Sequence, residues 1–202
     1  KALPEKSSCR FGITIGAMTT QELPVVHLKI ERKSTQPWIF QKMVEKPEVK
    51  PRPGSIVDIV DSTNHWVGRG FYNGHSRIAL RVLTEDFEEA VDQAFFSRKI
   101  KQAVELRRGL LKLDEVSDAW RVVHSEGDGL SGLVVDRYGD LLVVEFFSAG
   151  AFRYREWIYE ALRESFPGCR FYSFAVENVQ KQESFDFNSA DAPEPSIITE
   201  YG

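Results

Sequence analysis

A chain of 202 residues, 42% hydrophobic and 28% charged, holds enough apolar material for one large core or two small ones. No apolar run approaches the roughly 18 residues of a membrane span, and the opening KALPEKSSCRFGITIGAM lacks the continuous apolar stretch of a secretory signal. Cys9 and Cys169 have no partner motif, which argues against a disulfide framework and for a reduced, cytoplasmic setting, while a net charge of −4 excludes a uniformly basic molecule.

The charge is unevenly spread. From His27 to Arg81 there are ten Lys/Arg against five Asp/Glu, a local excess of +5 that leaves −9 for the remainder. A basic module inside an acidic chain suits a polyanionic partner.

Residues 1–24 show no period and read as a flexible leader. The first residue, Lys rather than Met, reads as the start of a piece of a longer product. From 25 to 84 short strands and turns follow one another. VVHLKI and WIF are strand candidates, and the proline-broken KPEVKPRPG between WIF and the next strand cannot be helix. SIVDIVD alternates, with Ile56, Asp58 and Val60 on one face and Val57, Ile59 and Asp61 on the other. WVGRGFYN ends at the Asn73-Gly74 turn. RIALRVL then places Ile78, Leu80 and Val82 opposite Arg77, Ala79 and Arg81. Strands at this spacing predict a small β-barrel or sandwich.

Residues 85–118 read as an acidic link and a helix. Asp92 is its N-cap, and the helix is expected to reach about Lys112 with Phe96, Ile100, Ala103, Val104, Leu106, Leu110 and Leu111 on its apolar face. Arg98, Lys101, Glu105, Arg108 and Lys112 form a mostly basic stripe on the other. In 119–178, AWRVVHS, LSGLVVDR and DLLVVEFFS predict three strands, AFRYREWIYEALRESF a helix stopped by Pro167-Gly168, and CRFYSFAVE a fourth strand. Residues 179–202 read as a polar linker and then IITEYG, the first strand of a further domain expected to lie outside this chain. The predicted fold class is α+β: a small barrel, a linker helix, then an α+β domain of antiparallel strands with one covering helix.

The stretch EGDGLSG (Glu126 to Gly132) spells G-x-G-x-x-G at Gly127, Gly129 and Gly132. A nucleotide-holding glycine loop works by ending at a helix N-terminus, whose free N–H groups face the phosphate. Here LVVDRYGDLLVVEFF follows, rich in β-branched residues, so the glycines are expected to shape a β-meander. Glu126, Asp128, Asp136 and Asp140 are then turn acids bonded to nearby backbone rather than a metal cluster. No catalytic, cofactor-binding or metal-binding residue is assigned.

WRVVHSEGDGLSGLVVDRYGDLLVVEFFSAG (Trp120 to Gly150) closely resembles the middle region of the bacterial large-subunit rRNA methyltransferases of the cytosine carbon-5 type. QPWIF (Gln36 to Phe40) looks like that family's opening strand signature, with Gln where His is common. Pro53 to Leu83 looks like its PUA barrel, with Gly74 where Pro is usual. The resemblance covers roughly Val25 to Asn178; NVQKQESFDF departs from the arginine-and-glycine pattern expected next. It implies a PUA module that helps hold RNA, a strand-and-helix (EEHEE) connecting domain, and a catalytic domain that binds S-adenosylmethionine and attacks cytosine carbon 6 with a cysteine. Neither Cys9, in the leader, nor Cys169, opening a strand, matches that nucleophile. S-adenosylmethionine is therefore implied only for a catalytic domain outside this chain.

On this reading the partner is structured RNA, ribosomal by the resemblance, bound mainly through exposed cations. The candidates are Lys29, Arg32, Lys33, Arg69, Arg77 and Arg81. Arg77 and Arg81 lie opposite an apolar face, and Arg69 sits between Gly68 and Gly70, where bare backbone would admit a phosphate. Trp38 and Trp66 read as core aromatics in preference to base-stacking ones. Two alternatives stand beside this reading: a protein-interaction or self-assembly module that uses a sheet edge, and an enzyme using His124 with Glu126 or Asp128.

Overall fold

The computed structural model describes residues 23–194 and 197–201. Nearly all of the expected leader, including Cys9, lies outside them.

The first sheet comprises β1 (Val25–His27), β2 (Trp38–Phe40), β3 (Ser55–Val60), β4 (Trp66–Tyr72) and β5 (Ile78–Thr84), in the spatial order β1-β3-β4-β5-β2. β1 runs parallel to β3, and the other pairs are antiparallel. The sheet curls into a half-barrel around Val26, Leu28, Val57, Ile59, Tyr72, Leu80 and Val82. The alternation of SIVDIVD is realised here: Val57 and Ile59 enter this core, while Ile56 joins a second core on the other face.

The second sheet contains β6 (Ala119–His124), β7 (Leu133–Tyr138), β8 (Leu141–Phe146) and β9 (Arg170–Phe174), paired in that order. The first three are antiparallel, as expected. β9 corrects the all-antiparallel expectation: it lies parallel to β8, with Val143 opposite Tyr172. The intervening helices return the chain to the starting end of β8, and a strand that follows such a crossover pairs in parallel.

Those helices are α2 (Ala149–Arg153) and α3 (Arg155–Ser165), where the sequence predicted one. Ser148 caps α2 by accepting from the Ala151 N–H. The break falls at Tyr154, whose backbone leaves the helical region (φ −100°, ψ 22°). Its ring stacks on Phe71 of β4 at 5.9 Å and on Trp157 at 4.7 Å. The continuous helical reading missed this because both halves share one apolar periodicity.

Helix α1 (Gln93–Glu105) starts as predicted, with the Asp92 carboxylate accepting from the Phe95 N–H. It ends earlier than predicted. A π turn over Leu106–Leu110 replaces its last residues and swings Leu106, Leu110 and Leu111 outward, so the expected apolar face stops at Val104. Arg107 turns inward instead.

One core unites the two sheets. Ile56, Phe71 and Leu83 from the outer face of the half-barrel meet Phe96 and Ile100 of α1, Ile158 and Leu162 of α3, and Val122, Val135 and Val144 of the second sheet. A Cβ on Gly150 would overlap the Phe71 ring, so glycine there lets α2 close on β4. The half-barrel is buried on both faces.

A last helix, α4 (Glu177–Glu183), occupies part of what the sequence presented as a linker. Phe185 and Phe187 follow it and stack on Phe152 at 4.6 and 5.1 Å. The polar composition of the segment concealed three residues, Glu183, Phe185 and Phe187, that fasten it. Ile197 to Tyr201 is not the expected strand: it runs beside 116–118 and makes one isolated bridge, Ser117 with Glu200.

Candidate nucleic-acid interface

The six predicted cations divide by their partners. Lys29 and Arg77 are exposed, and Lys33 is exposed in a surface pair with Glu31 at 3.2 Å. Arg32 is held by the Gln36 carbonyl at 3.1 Å and by Glu85 at 3.2 Å. Arg69 donates to Asp58 at 2.8 Å and to the Glu89 carbonyl at 2.7 Å. Its flanking glycines serve the barrel rather than a phosphate, since a Cβ on Gly70 would collide with the Arg81 carbonyl on the neighbouring strand.

Arg81 corrects the sequence reading most sharply. It was expected to share an exposed face with Arg77, yet it is only 8% exposed. The alternation of β5 is real, but α4 and the loop after β6 cover the face that the sequence presented as solvent. The Arg81 guanidinium lies 3.3 Å from Glu183 and 3.6 Å from Glu126.

Glu183 is 5% exposed, and both its oxygens are engaged. One accepts from Ser76 at 2.7 Å and from Arg81; the other accepts from Asn73 at 3.0 Å and from the Ala149 N–H at 3.2 Å. A buried carboxylate survives only with such compensation. Glu126 accepts from the Trp38 indole N–H at 2.7 Å and the Ser131 hydroxyl at 2.6 Å. Burial alone would raise its carboxyl, but hydrogen bonds from Ser131, Ser125 and Trp38 outweigh that and hold it below its ordinary value.

The EGDGLSG loop belongs to this junction. Ser125 to Asp128 form a 3-10 turn, Gly129 and Gly132 adopt φ of +70° and +82°, and the chain from Leu133 is strand β7. With no helix beginning there, the loop does not fit the glycine cradle of a nucleotide or of S-adenosylmethionine. Its acids hold arginines more than their own backbone. Asp128 takes a two-point contact from Arg107 at 2.7 and 2.9 Å, as well as the His124 N–H, while Asp136 pairs with Arg121 and Asp140 with Arg170. Among the described residues, no group of three or more His, Cys, Asp or Glu is placed to hold a metal ion. Cys169 is half-buried against the core.

The basic stripe of α1 is likewise committed, with Arg98 on Glu89, Lys101 on Glu164 and Arg108 on Asp114.

A cluster of exposed cations sits elsewhere. An antiparallel bridge between Leu28 and Val44, with the Lys29 N–H donating to the Met43 carbonyl at 2.8 Å, draws the segment after β2 alongside β1. Lys29, Lys46 and Lys50 thereby line one cleft of about 280 Å³, in which Glu45 is the one acid. Gln41 joins this cleft to Arg77: its N–H donates to the Arg77 carbonyl at 2.9 Å and its side chain to the Gly74 carbonyl at 2.9 Å. Lys42 is exposed beside it. Among the described residues, Lys29, Lys42, Lys46, Lys50 and Arg77 are exposed without an ion-pair partner within 4.0 Å, and three of them share the cleft. The sequence counted Lys42, Lys46 and Lys50 in its basic excess without selecting them. The signal was the proline-broken loop, which keeps Lys46 and Lys50 out of any core.

Comparison with known proteins bears on this surface. Residues 31–85 match the model of the PUA-like domain family. This segment is a PUA-like domain. Strand β1, which precedes it, completes the PUA-like sheet by pairing with β3. Over 171 residues, 82% of this chain, the sequence is 40% identical to the ribosomal RNA large subunit methyltransferase I of Aeromonas hydrophila and 39% identical to that of Klebsiella pneumoniae. The chain spans 43% and 42% of those proteins' lengths. The fold is also that of two solved structures. One is a methyltransferase complexed with SAH (TM-score 0.65, 16% identity, 89% of this chain and 46% of that one). The other is a SAM-dependent methyltransferase from Streptococcus mutans (TM-score 0.66, 14% identity, 89% and 47%). The homologues are rRNA methyltransferases, and the PUA-like domain is the part shared with them that presents the unpaired lysines.

Proposed function

We propose that this chain is the RNA-holding and connecting region of an S-adenosylmethionine-dependent rRNA methyltransferase acting on cytosine carbon 5, in the cytoplasm, with methyl transfer performed by a catalytic domain outside these 202 residues. One observation carries the reading: a cleft face lined by the exposed, unpaired Lys29, Lys46 and Lys50 on a PUA-like domain, in a chain homologous to proteins named as rRNA methyltransferases. Such a face binds backbone phosphate by displacing counterions, and positions RNA without reading its sequence. The second sheet then acts as a rigid connector, since it shares a core with the barrel.

Filter binding of the chain to large-subunit rRNA across a salt series tests this. Affinity falls with a log–log slope of about −0.7 to −0.9 for each phosphate contacted. The triple variant Lys29→Glu, Lys46→Glu, Lys50→Glu flattens that slope and keeps the wild-type melting temperature. Salt-independent binding, or a triple variant that binds as wild type does, refutes the reading.

Self-association is a second reading, favoured by one observation. Leu106, Leu110, Leu111 and Val116 lie exposed on and after the π turn, with Leu110 at 74%. Light scattering over a concentration series, repeated with Leu110→Lys, decides it: a mass that stays monomeric rejects this reading.

A further inference from the structure

Between the PUA-like domain and the second sheet lies a cleft of about 640 Å³, more than twice the volume of the lysine cleft. That falls within the range of small-molecule sites. Its floor is apolar, built from Ile78, Val134, Phe147 and Val179. On one wall stand Trp38, half-buried, and Phe40, 38% exposed, with the Arg81 guanidinium 5.9 Å from the Trp38 ring centre. The rim carries the exposed side chains of His75, Arg77 and Gln182.

Donors dominate the polar inventory of this cleft. Both oxygens of Glu183 are engaged by protein donors, and Glu126 takes Trp38 and Ser131 on one oxygen, with the Arg81 guanidinium 3.6 Å away. What remains available to an occupant is a set of donors: the unpaired Arg77, the His75 ring and the Gln182 amide. Arg81, more than nine-tenths buried, has an Nε–H with no acceptor in the protein, itself closed to solvent. A flat aromatic wall beside unpaired donors asks for a flat, acceptor-rich, anionic occupant. A basic peptide would meet the Arg77 and Arg81 guanidiniums, and a lipid tail would strand the donors.

From this we infer that the cleft takes a single unstacked nucleotide of an RNA strand. The base lies against Trp38 and Phe40, and its phosphate sits at the Arg77–His75 rim. Aromatic faces receive unpaired bases with little regard to sequence, and Arg pairs with phosphate by charge-assisted hydrogen bonds. The position supports this too. Gln41 of the lysine cleft donates to the carbonyl of Arg77, which lines this one, so the two clefts adjoin at that contact. The inference deepens the RNA reading above and rests on it. It adds a site where a base is gripped, beyond a surface where phosphates are held.

The test uses the 202-residue chain, nucleoside 5′-monophosphates as probes, and the indole N–H signal of Trp38 in a two-dimensional NMR spectrum, assigned by its loss in Trp38→Phe. Adding a monophosphate shifts the Trp38 signal and saturates. Arg77→Ala weakens that binding about tenfold, the size of a lost charge-assisted hydrogen bond. Inorganic phosphate alone leaves the Trp38 signal unmoved. An unmoved Trp38 signal with every monophosphate overturns the inference, as does an equal shift with inorganic phosphate or unchanged affinity in Arg77→Ala. Gln182→Ala, at an exposed rim position, gives a second variant that does not touch the barrel, and a loss of affinity there supports the site. Salt-dependent rRNA binding with a silent Trp38 leaves the RNA reading standing and removes this one. Monophosphate binding without rRNA binding removes the RNA reading and, with it, the assignment of the occupant to an RNA strand.

Discussion

Arg77, just before β5, and Arg81, within it, are four positions apart, and the sequence assigned them one role; the structure gives them different energetics. Arg81 pairs with the buried Glu183 and faces the half-buried Glu126, so removing Glu183 leaves a poorly compensated charge in the interior. Glu183→Ala, which takes a shared carboxylate acceptor from Arg81, Asn73 and Ser76, is expected to lower unfolding free energy by about 3–5 kcal/mol in urea denaturation. Arg81→Met combined with Glu183→Gln costs less than the sum of the two single changes, because both charges leave together. Arg77→Glu leaves stability within about 0.5 kcal/mol of wild type and weakens RNA binding. An equal stability loss at both arginines would contradict this division. Period-two alternation revealed the face on which Arg81 lies, but it is blind to what covers that face. The cover comes from Glu183, 102 residues away, in a segment whose composition reads as linker.

At the scale of elements, strands and caps were legible because their causes are local. Asp92 before an apolar helix face, the alternation in SIVDIVD, and Gly129 and Gly132 at positive φ each act within a few residues. The end of α1 was not legible, since its cause is an acid in the distant EGDGLSG loop: the π turn brings Arg107 onto Asp128, and that contact also secures the His124 N–H. Asp128→Ala is therefore expected to destabilise the chain by about 3 kcal/mol and to increase amide exchange in both 106–110 and 125–129. Exchange that rises in one segment alone would separate the loop from the turn. The candidate site divides in the same way. Basic excess in 27–81 was visible, but which cations remain unpaired depends on Asp58, Glu85, Glu126 and Glu183, whose partners the sequence does not reveal.

Four acids with depressed pKa, Asp61, Glu89, Glu126 and Asp140, contribute to the acid limb of stability, and two of them sit at structurally distinct places. Hydrogen bonding by the Thr63 hydroxyl, with backbone N–H groups of Thr63, His65 and Arg32 adding to it, lowers Asp61 to about 2 from an ordinary 3.8, against the opposing effect of burial. Glu126 is held below its ordinary 4.5 at the junction between the sheets. A carboxyl with a depressed folded pKa contributes stability that is fully present above its unfolded value and is lost as pH falls through the folded one. Thermal stability is thus expected to be flat on account of these groups above about pH 4.5 and to decline below it, first through Glu126 and then through Asp61 towards pH 2. Glu126→Gln makes the upper part of that decline shallower, with Glu89 still contributing there, and leaves the Asp61 part, as read from melting temperature against pH. A variant with the wild-type profile would show that the junction carboxyl contributes nothing to folding.

The shared core makes a stronger demand. Phe71 belongs to the PUA-like sheet, yet its ring stacks on Tyr154 and on Phe96 at 6.4 Å and fills the space that Gly150 leaves open. If the half-barrel and the second sheet were separate folding units joined by α1, truncating that ring would loosen the half-barrel alone. With one continuous core, Phe71→Ala costs about 3–5 kcal/mol and withdraws support from both sheets at once. Hydrogen exchange measured on Ile59 of β3 and Val135 of β7 is then expected to accelerate by the same factor, because the slowest amides in each sheet open only by global unfolding. Acceleration confined to Ile59 would mean that the sheets unfold independently, and the second sheet would lose its role as a rigid connector between the RNA-holding face and whatever it serves.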